Sequence, residues 1–101
     1  MGCALLTNKR NVYLGVSIEA NCGIGFCAEH AAIASMLTNG EHRIRKIVAV
    51  SRKGLILTPC GRCRELMYQI TEREGSVEII VGKNKIAKLK ELLPSPWQEK
   101  W

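Results

Sequence analysis

Cys27-Ala28-Glu29 and Pro59-Cys60-Gly61-Arg62-Cys63 carry most of the chemical information in this chain. Three thiolates can close three corners of a zinc tetrahedron and leave the fourth to water, the arrangement of a catalytic rather than a structural site. Glu29 adds what a metal does not supply, a carboxylate that moves protons. Together these residue types suit metal-assisted attack by water. A structural knot would need a fourth protein ligand, for which His30 and His42 are the candidate histidines. A knot gives no reason for the Cys-Ala-Glu motif. Glu29 read without the metal would be a dipole partner at a helix start, worth ~0.3–1 kcal/mol.

The flanking sequence shows how these residues are positioned. Ala4-Leu5-Leu6 and Val12 to Ile18 read as two strands joined by the turn Asn8-Lys9-Arg10-Asn11. Asn21 to Gly25 is a loop, and a helix is expected from Cys27 through Leu37, stopped by Asn39-Gly40. Ile47 to Ser51 is an apolar run suited to a buried strand. Arg52 to Thr58 reads as a loop, and Pro59 can open a helix that Cys60 begins and Gly75 ends. Val77 to Val81 reads as a further strand, and Lys88 to Leu93 as a short helix stopped by Pro94. The expected order, β-β-α-β-α-β-α, implies an α/β fold with a single mixed sheet covered by helices. Both cysteine motifs then fall at helix N-termini, whose dipoles favour thiolates. Cys27 and Glu29 can face one metal if Cys27 caps the helix rather than lying inside it.

Composition narrows the classes. A chain of 101 residues makes one domain, 1–101. A domain of this size gains from a metal or a partner subunit. Hydrophobic content of 47% and charged content of 24% are ordinary for a soluble globular protein. No apolar run approaches the ~18 residues of a membrane span, and the first residues lack the basic lead of a signal peptide. Five cysteines, three of them in metal-type spacing, argue for a reducing, cytoplasmic setting. Cys3 and Cys22 are expected to be small buried hydrophobes. The net charge of +6 raises the question of nucleic acid, but the basic residues are scattered and aromatic platforms are few. That charge reads mainly as solvated surface, and nucleic acid is not the expected partner.

At its two motifs the chain resembles the cytidine deaminase family of free-nucleoside zinc deaminases, which includes blasticidin S deaminases. The x-Glu motif meeting Pro-Cys-x-x-Cys, with the Glu outside the ligand set, is the signature of that chemistry. The similarity runs over nearly the whole chain. Met1 to Thr7 resembles the family's first core strand, Gly15 to Glu19 its ribose-binding segment, and Glu91 to Ser95 its C-terminal signature, with Trp97 where the family carries an aromatic. The resemblance implies Zn²⁺ held by Cys27, Cys60 and Cys63, with Glu29 as the catalytic proton shuttle. Water activated by the metal would attack C4 of a cytosine ring and ammonia would leave. It further implies that Ala28 contacts the pyrimidine through its backbone amide, and Ser17 and Glu19 the sugar. Trp97 would cover a neighbouring subunit's pocket in a homo-oligomer, expected to be a tetramer. Read as residues alone, Ser17 and Glu19 are ordinary strand-end positions, and the tail tryptophans, Trp97 and Trp101, could equally dock on the chain's own surface. Cysteine as the first ligand resembles the free-pyrimidine branch.

Four departures from the family pattern stand out. Ser17 occupies the place of an asparagine, and the stretch from Glu19 to Cys27 is about one residue short. His30 stands where an arginine often follows the glutamate. Three thiolates on Zn²⁺ leave about one net negative charge, for which Arg62, Arg64 or a protonated His30 are the available compensators. The chain also begins after the helix that precedes the first strand in the family, so oligomer contacts are expected to cover the exposed sheet. Two rivals have different signatures. A non-catalytic zinc-stabilised oligomerisation or regulatory module would release no ammonia from any aminopyrimidine. A nucleic-acid deaminase would bind oligonucleotides with a steep salt dependence.

Overall fold

The computed structural model describes residues 1–72 and 75–100. Its elements run β1 (Gly2–Thr7), β2 (Val12–Val16), α1 (Ala28–Thr38), β3 (Ile44–Val50), β4 (Ile56–Leu57), α2 (Gly61–Ile70), β5 (Glu78–Gly82), β6 (Lys85–Lys88) and α3 (Leu89–Leu92), closed by a 3₁₀ turn over Trp97–Lys100. The sheet order is β2-β1-β3-β5-β6, with β4 paired to the end of β3. β1 is antiparallel to both neighbours and β3 is parallel to β5, so the single mixed sheet expected from the sequence is present.

Alternation along β1 sends Cys3, Leu5 and Thr7 to the buried face. Register places Leu5 beside Tyr13 and Ile47, and Ile47 beside Ile79. Ala28, Ala32, Ile33 and Met36 of α1, Cys63 and Met67 of α2, and Leu89 of α3 join the same core. The helices therefore cover one face of the sheet. Gly15 lets α1 sit very close to β2. A Cβ there would lie 2.3 Å from the Ala32 nitrogen and 2.6 Å from the Ala28 oxygen, against main chain that cannot swing aside.

A second tie joins the β1–β2 hairpin to the segment leaving α1. Buried Glu41 accepts hydrogen bonds from Tyr13 Oη at 2.6 Å and Asn11 Nδ2 at 2.9 Å. The Tyr13 hydroxyl, ahead of Thr7 and Asn11, holds the Glu41 carboxyl below its usual range.

Several details differ from the sequence reading. β4 and β6 are additional strands. β4 has two residues, too few for a periodic signal, whereas β6 follows a turn in which Asn84 takes a left-handed φ of 58°. The second strand ends at Val16, and Ile18 makes an isolated bridge with Phe26. α2 starts at Gly61 with Cys60 as its cap, and it ends at Ile70 rather than near Gly75. The Thr71 hydroxyl donates to the Met67 carbonyl at 2.6 Å, and Glu72 then turns left-handed with φ 57°. Cys3 is buried as expected, but Cys22 is exposed, on a loop where its φ is 61°.

Candidate active site

Both metal-type motifs are built the same way. Cys27 caps α1 with φ −72° and ψ 154°, and Cys60 caps α2 with φ −67° and ψ 168°. Extended backbone at these positions turns each sulfur toward the space before its helix, so Cys27 need not share a helical face with Glu29. Cys63, in the first turn of α2, completes the group. The Cys27 and Cys60 sulfurs are 3.5 Å apart, as are those of Cys60 and Cys63. Two sulfurs bound tetrahedrally at about 2.3 Å from zinc stand about 3.8 Å apart, so the cluster is close to the size the ion requires.

His30 also enters the site. Its Nδ1 lies 3.4 Å from the Cys63 sulfur, and the donor atoms of Cys27, His30 and Cys63 all fall within 4.8 Å of one another. The ring stacks on Phe26, with centroids 6.5 Å apart and planes 20° from parallel. The sequence offers it as a candidate fourth ligand and, protonated, as a compensating charge, and the structure brings its ring to the sulfurs.

The electrostatics favour a cation at the centre. Burial, the largest influence, raises the thiol pKa of both Cys27 and Cys63. Burial raises Cys60 too, but the backbone N–H groups of Cys63 and Arg62 and the neighbouring thiols more than offset it, and its pKa falls. Three sulfurs this close do not all ionise without a positive ion among them. Glu29 is 1% exposed, and its Oε1 has no hydrogen-bond partner among the described residues. Its negative charge raises Cys3, Cys27 and Cys63. Burial chiefly, then Glu29, pushes Cys3 to about 12, so Cys3 stays a thiol. A donor set of three soft sulfurs beside an unsatisfied buried carboxylate oxygen fits zinc with a water or substrate group at its open corner.

Arg64 is committed elsewhere. Its Nε donates to the Pro59 carbonyl at 2.8 Å and its Nη1 to Leu92 at 3.0 Å, bracing the α2 cap against α3. Burial, then the charge of Arg62, lowers the His30 pKa, which leaves Arg62 as the standing cation near the site.

Ser17 and Glu19 line a cleft of about 380 Å³ with Met1, Gly2, Ser51 and Arg52. Register sets this cleft beyond the row of residues under α1, and neither Glu29 nor a clustered cysteine lines it. Gly15, Cys3 and Ala49 form one cross-strand row under α1, and Ser17, Met1 and Ser51 lie two residues further along the same strands. Ala28 is buried at the start of α1. Trp97 does not line this cleft and is half exposed, while its neighbour Gln98 is buried and donates to Glu65 of α2. The tail therefore docks on its own chain through Gln98. Trp101 lies outside the described residues.

Two helix caps delivering a sulfur cluster beside a buried carboxylate define a metal-dependent hydrolase. Residues 1–79 match the family model described as the cytidine and deoxycytidylate deaminase zinc-binding region. Over 95 residues the chain is 32% identical to a cytidine deaminase of Mycobacterium tuberculosis, spanning 93% of this chain and 69% of the relative. A blasticidin-S deaminase of Bacillus cereus is 33% identical over 106 aligned positions, spanning 93% of this chain and 74% of that protein. The crystal structure of cytidine deaminase from Mycobacterium leprae superposes with a TM-score of 0.83 at 30% identity, covering 93% of this chain and 77% of that one. The chain belongs to the cytidine and deoxycytidylate deaminase family, a family of zinc-binding hydrolytic enzymes.

Proposed function

We propose that the chain deaminates a free cytosine nucleoside, cytidine or deoxycytidine, consuming water and releasing ammonia to leave a uracil ring. The observation that carries this reading is the buried, unpartnered Glu29 oxygen beside three clustered sulfurs. Cys27, Cys60 and Cys63 are the proposed ligands, and zinc held there supplies the Lewis acidity that makes water a nucleophile near neutral pH. Glu29 takes the water's proton, gives one to ring N3, and carries another to the departing amine. The Ala28 amide opens α1, where helix N–H groups lack intrahelical acceptors, and it donates to the pyrimidine. Ser17 and Glu19 receive the sugar in the adjoining cleft. His30 holds the Cys63 sulfur through its ring nitrogen.

The likeness to a blasticidin-S deaminase makes a blasticidin-like nucleoside the second substrate choice. Half-exposed Trp97, presented outward by the turn that Gln98 anchors, supports a role over a neighbouring pocket in a homo-oligomer of tetrameric type. Among the described residues no helix is long and apolar enough to cross a membrane. Five free cysteines support a reducing, cytoplasmic compartment.

Ammonia release by zinc-loaded protein from cytidine, deoxycytidine, blasticidin S and a cytosine oligonucleotide tests this reading. Release from the free nucleosides is expected. No release from any of them would favour the non-catalytic module, and release confined to the oligonucleotide would favour the nucleic-acid enzyme.

A further inference from the structure

The β3–β4 hairpin sets a cation without a counter-charge at the cleft that holds Ser17 and Glu19. The Ser51 N–H donates to the Leu55 carbonyl at 2.8 Å and the Gly54 N–H to the Ser51 carbonyl at 2.9 Å, with Gly54 at a left-handed φ of 81°. β4 is then held to β3 by the pairs Ala49–Leu57 and Val50–Ile56. This turn fixes the base of Arg52, which lines the cleft with Ser17, Glu19 and Ser51. Among the described residues neither Arg52 nor Glu19 has an ion-pair or side-chain hydrogen-bond partner. The two serine oxygens are already acceptors. Ser17 Oγ accepts from the Met1 nitrogen at 3.2 Å, and Ser51 Oγ from the Leu55 N–H at 3.1 Å. Each hydroxyl still has its proton to give. The cleft therefore combines three donor side chains, one of them charged, with a single carboxylate.

We propose that this cleft recognises an anionic group on the sugar side of the substrate, with Arg52 as the residue that selects it. Resting on the deamination reading, this narrows the substrate to cytosine compounds whose sugar carries a phosphate or a carboxylate. A guanidinium meets two anionic oxygens with two parallel N–H bonds, and the Ser17 and Ser51 hydroxyls donate to the same group. Glu19, the acidic residue of the lining, accepts instead from a sugar hydroxyl. A neutral sugar would leave Arg52 without a counter-charge. Position supports the assignment. The Glu29 charge reaches Cys3, and Met1 at the cleft lies two residues from Cys3 along β1, a step of about 6.8 Å. That step is of the order of the span from a cytosine ring to the far side of its sugar. A base held at the thiol cluster therefore leaves its sugar substituent at Arg52. The volume of about 380 Å³ has room for a sugar and its anionic group together. Exposed Lys53, next in the turn, and Arg62 add positive field at this end of the molecule, which favours the arrival of anions.

Zinc-loaded wild type, Arg52→Gln and Lys53→Gln are compared on cytidine, cytidine 5′-monophosphate and cytidine oxidised to its 5′-carboxylate. Ammonia release gives kcat/KM. Calorimetric binding of uridine, its 5′-monophosphate and its 5′-carboxylate gives a second readout that needs no turnover. Arg52 and Lys53 are exposed on a turn, so both variants keep the fold, which far-UV circular dichroism and zinc content verify independently. Wild type is expected to favour at least one anionic form over the neutral nucleoside by about tenfold, equivalent to ~1.4 kcal/mol. The form it favours identifies the anion. Arg52→Gln should abolish that preference while changing the neutral nucleoside by less than about twofold, and Lys53→Gln should keep it. A wild type that handles the neutral nucleoside as well as both anionic forms overturns the proposal, as does a preference that survives Arg52→Gln. Either result leaves deamination itself standing. Ammonia from none of the three compounds would contradict the deamination reading, and binding then decides the cleft alone. Tighter, Arg52-dependent binding of an anionic uridine supports the anion site, and equal binding of all three overturns it.

Discussion

Cys60 and His30 compete for the description of the metal site, and their chemistry separates them. If Cys60 is a ligand and His30 supports Cys63 from outside, Cys60→Ala loses most bound zinc whereas His30→Ala retains it. Cobalt substitution gives the same answer spectroscopically. Sulfur-to-cobalt charge-transfer absorption should fall in Cys60→Ala and stay near the wild-type intensity in His30→Ala. A His30→Ala protein that lost its metal would instead describe a closed site of three sulfurs and one nitrogen, with no corner for water. The cysteine motifs and Glu29 were readable because few other functions need those residue types at that spacing. His30 was readable as a candidate ligand and as a departure from an arginine. Its contacts with Cys63 and Phe26 depend on how the loop before α1 returns, which a one-dimensional pattern does not contain.

At the scale of elements, the site depends on α1 lying where β2 allows it. Gly15→Ala drives a Cβ into the Ala28 and Ala32 backbone, so the helix must move. The expected cost is ~1–3 kcal/mol, as for other overpacking substitutions. Zinc affinity should fall with it, because Cys27 and Glu29 ride on that helix; a denaturant titration paired with metal analysis checks both.

The Glu41 tie makes a separate prediction about pH. The folded-state pKa of Glu41 is lowered from 4.5, so its stabilisation is present above that value and is lost as pH falls through the lowered one. Glu41→Gln should therefore be less stable than wild type at neutral pH, and the gap should close in acid. Melting temperatures of both proteins across that range give the test. Neither Gly15 nor Glu41 stood out in the sequence. Their importance comes from partners distant along the chain, Ala28 and Ala32 for one and Tyr13 and Asn11 for the other. The main strands and helices were legible from periodicity and caps, and the elements that escaped notice, β4 and β6, were the short ones.

Among the described residues a single sheet carries its helices on one side, and metal should contribute heavily to the stability of so small a core. Binding of zinc to the folded state alone raises the melting temperature by mass action. Removal of the ion with a chelator should therefore lower the midpoint by many degrees, and zinc, but not magnesium, should restore it. All three helices contribute buried residues to one shared core. Which residues form the open sheet face was visible in the sequence only as ordinary strand hydrophobicity. Nothing local in Val12, Leu14 and Val16 tells a strand which of its faces the helices will take.

The account rests most heavily on Glu29 as a proton carrier that is not a metal ligand. Glu29→Gln keeps the size of the side chain and removes its ability to accept the water's proton. Zinc content and turnover of cytidine, measured on one preparation of this variant, separate the two roles. The expected result is wild-type zinc with turnover lowered by at least ~10²–10⁴-fold. Loss of the zinc, or turnover near that of the wild type, would contradict the account.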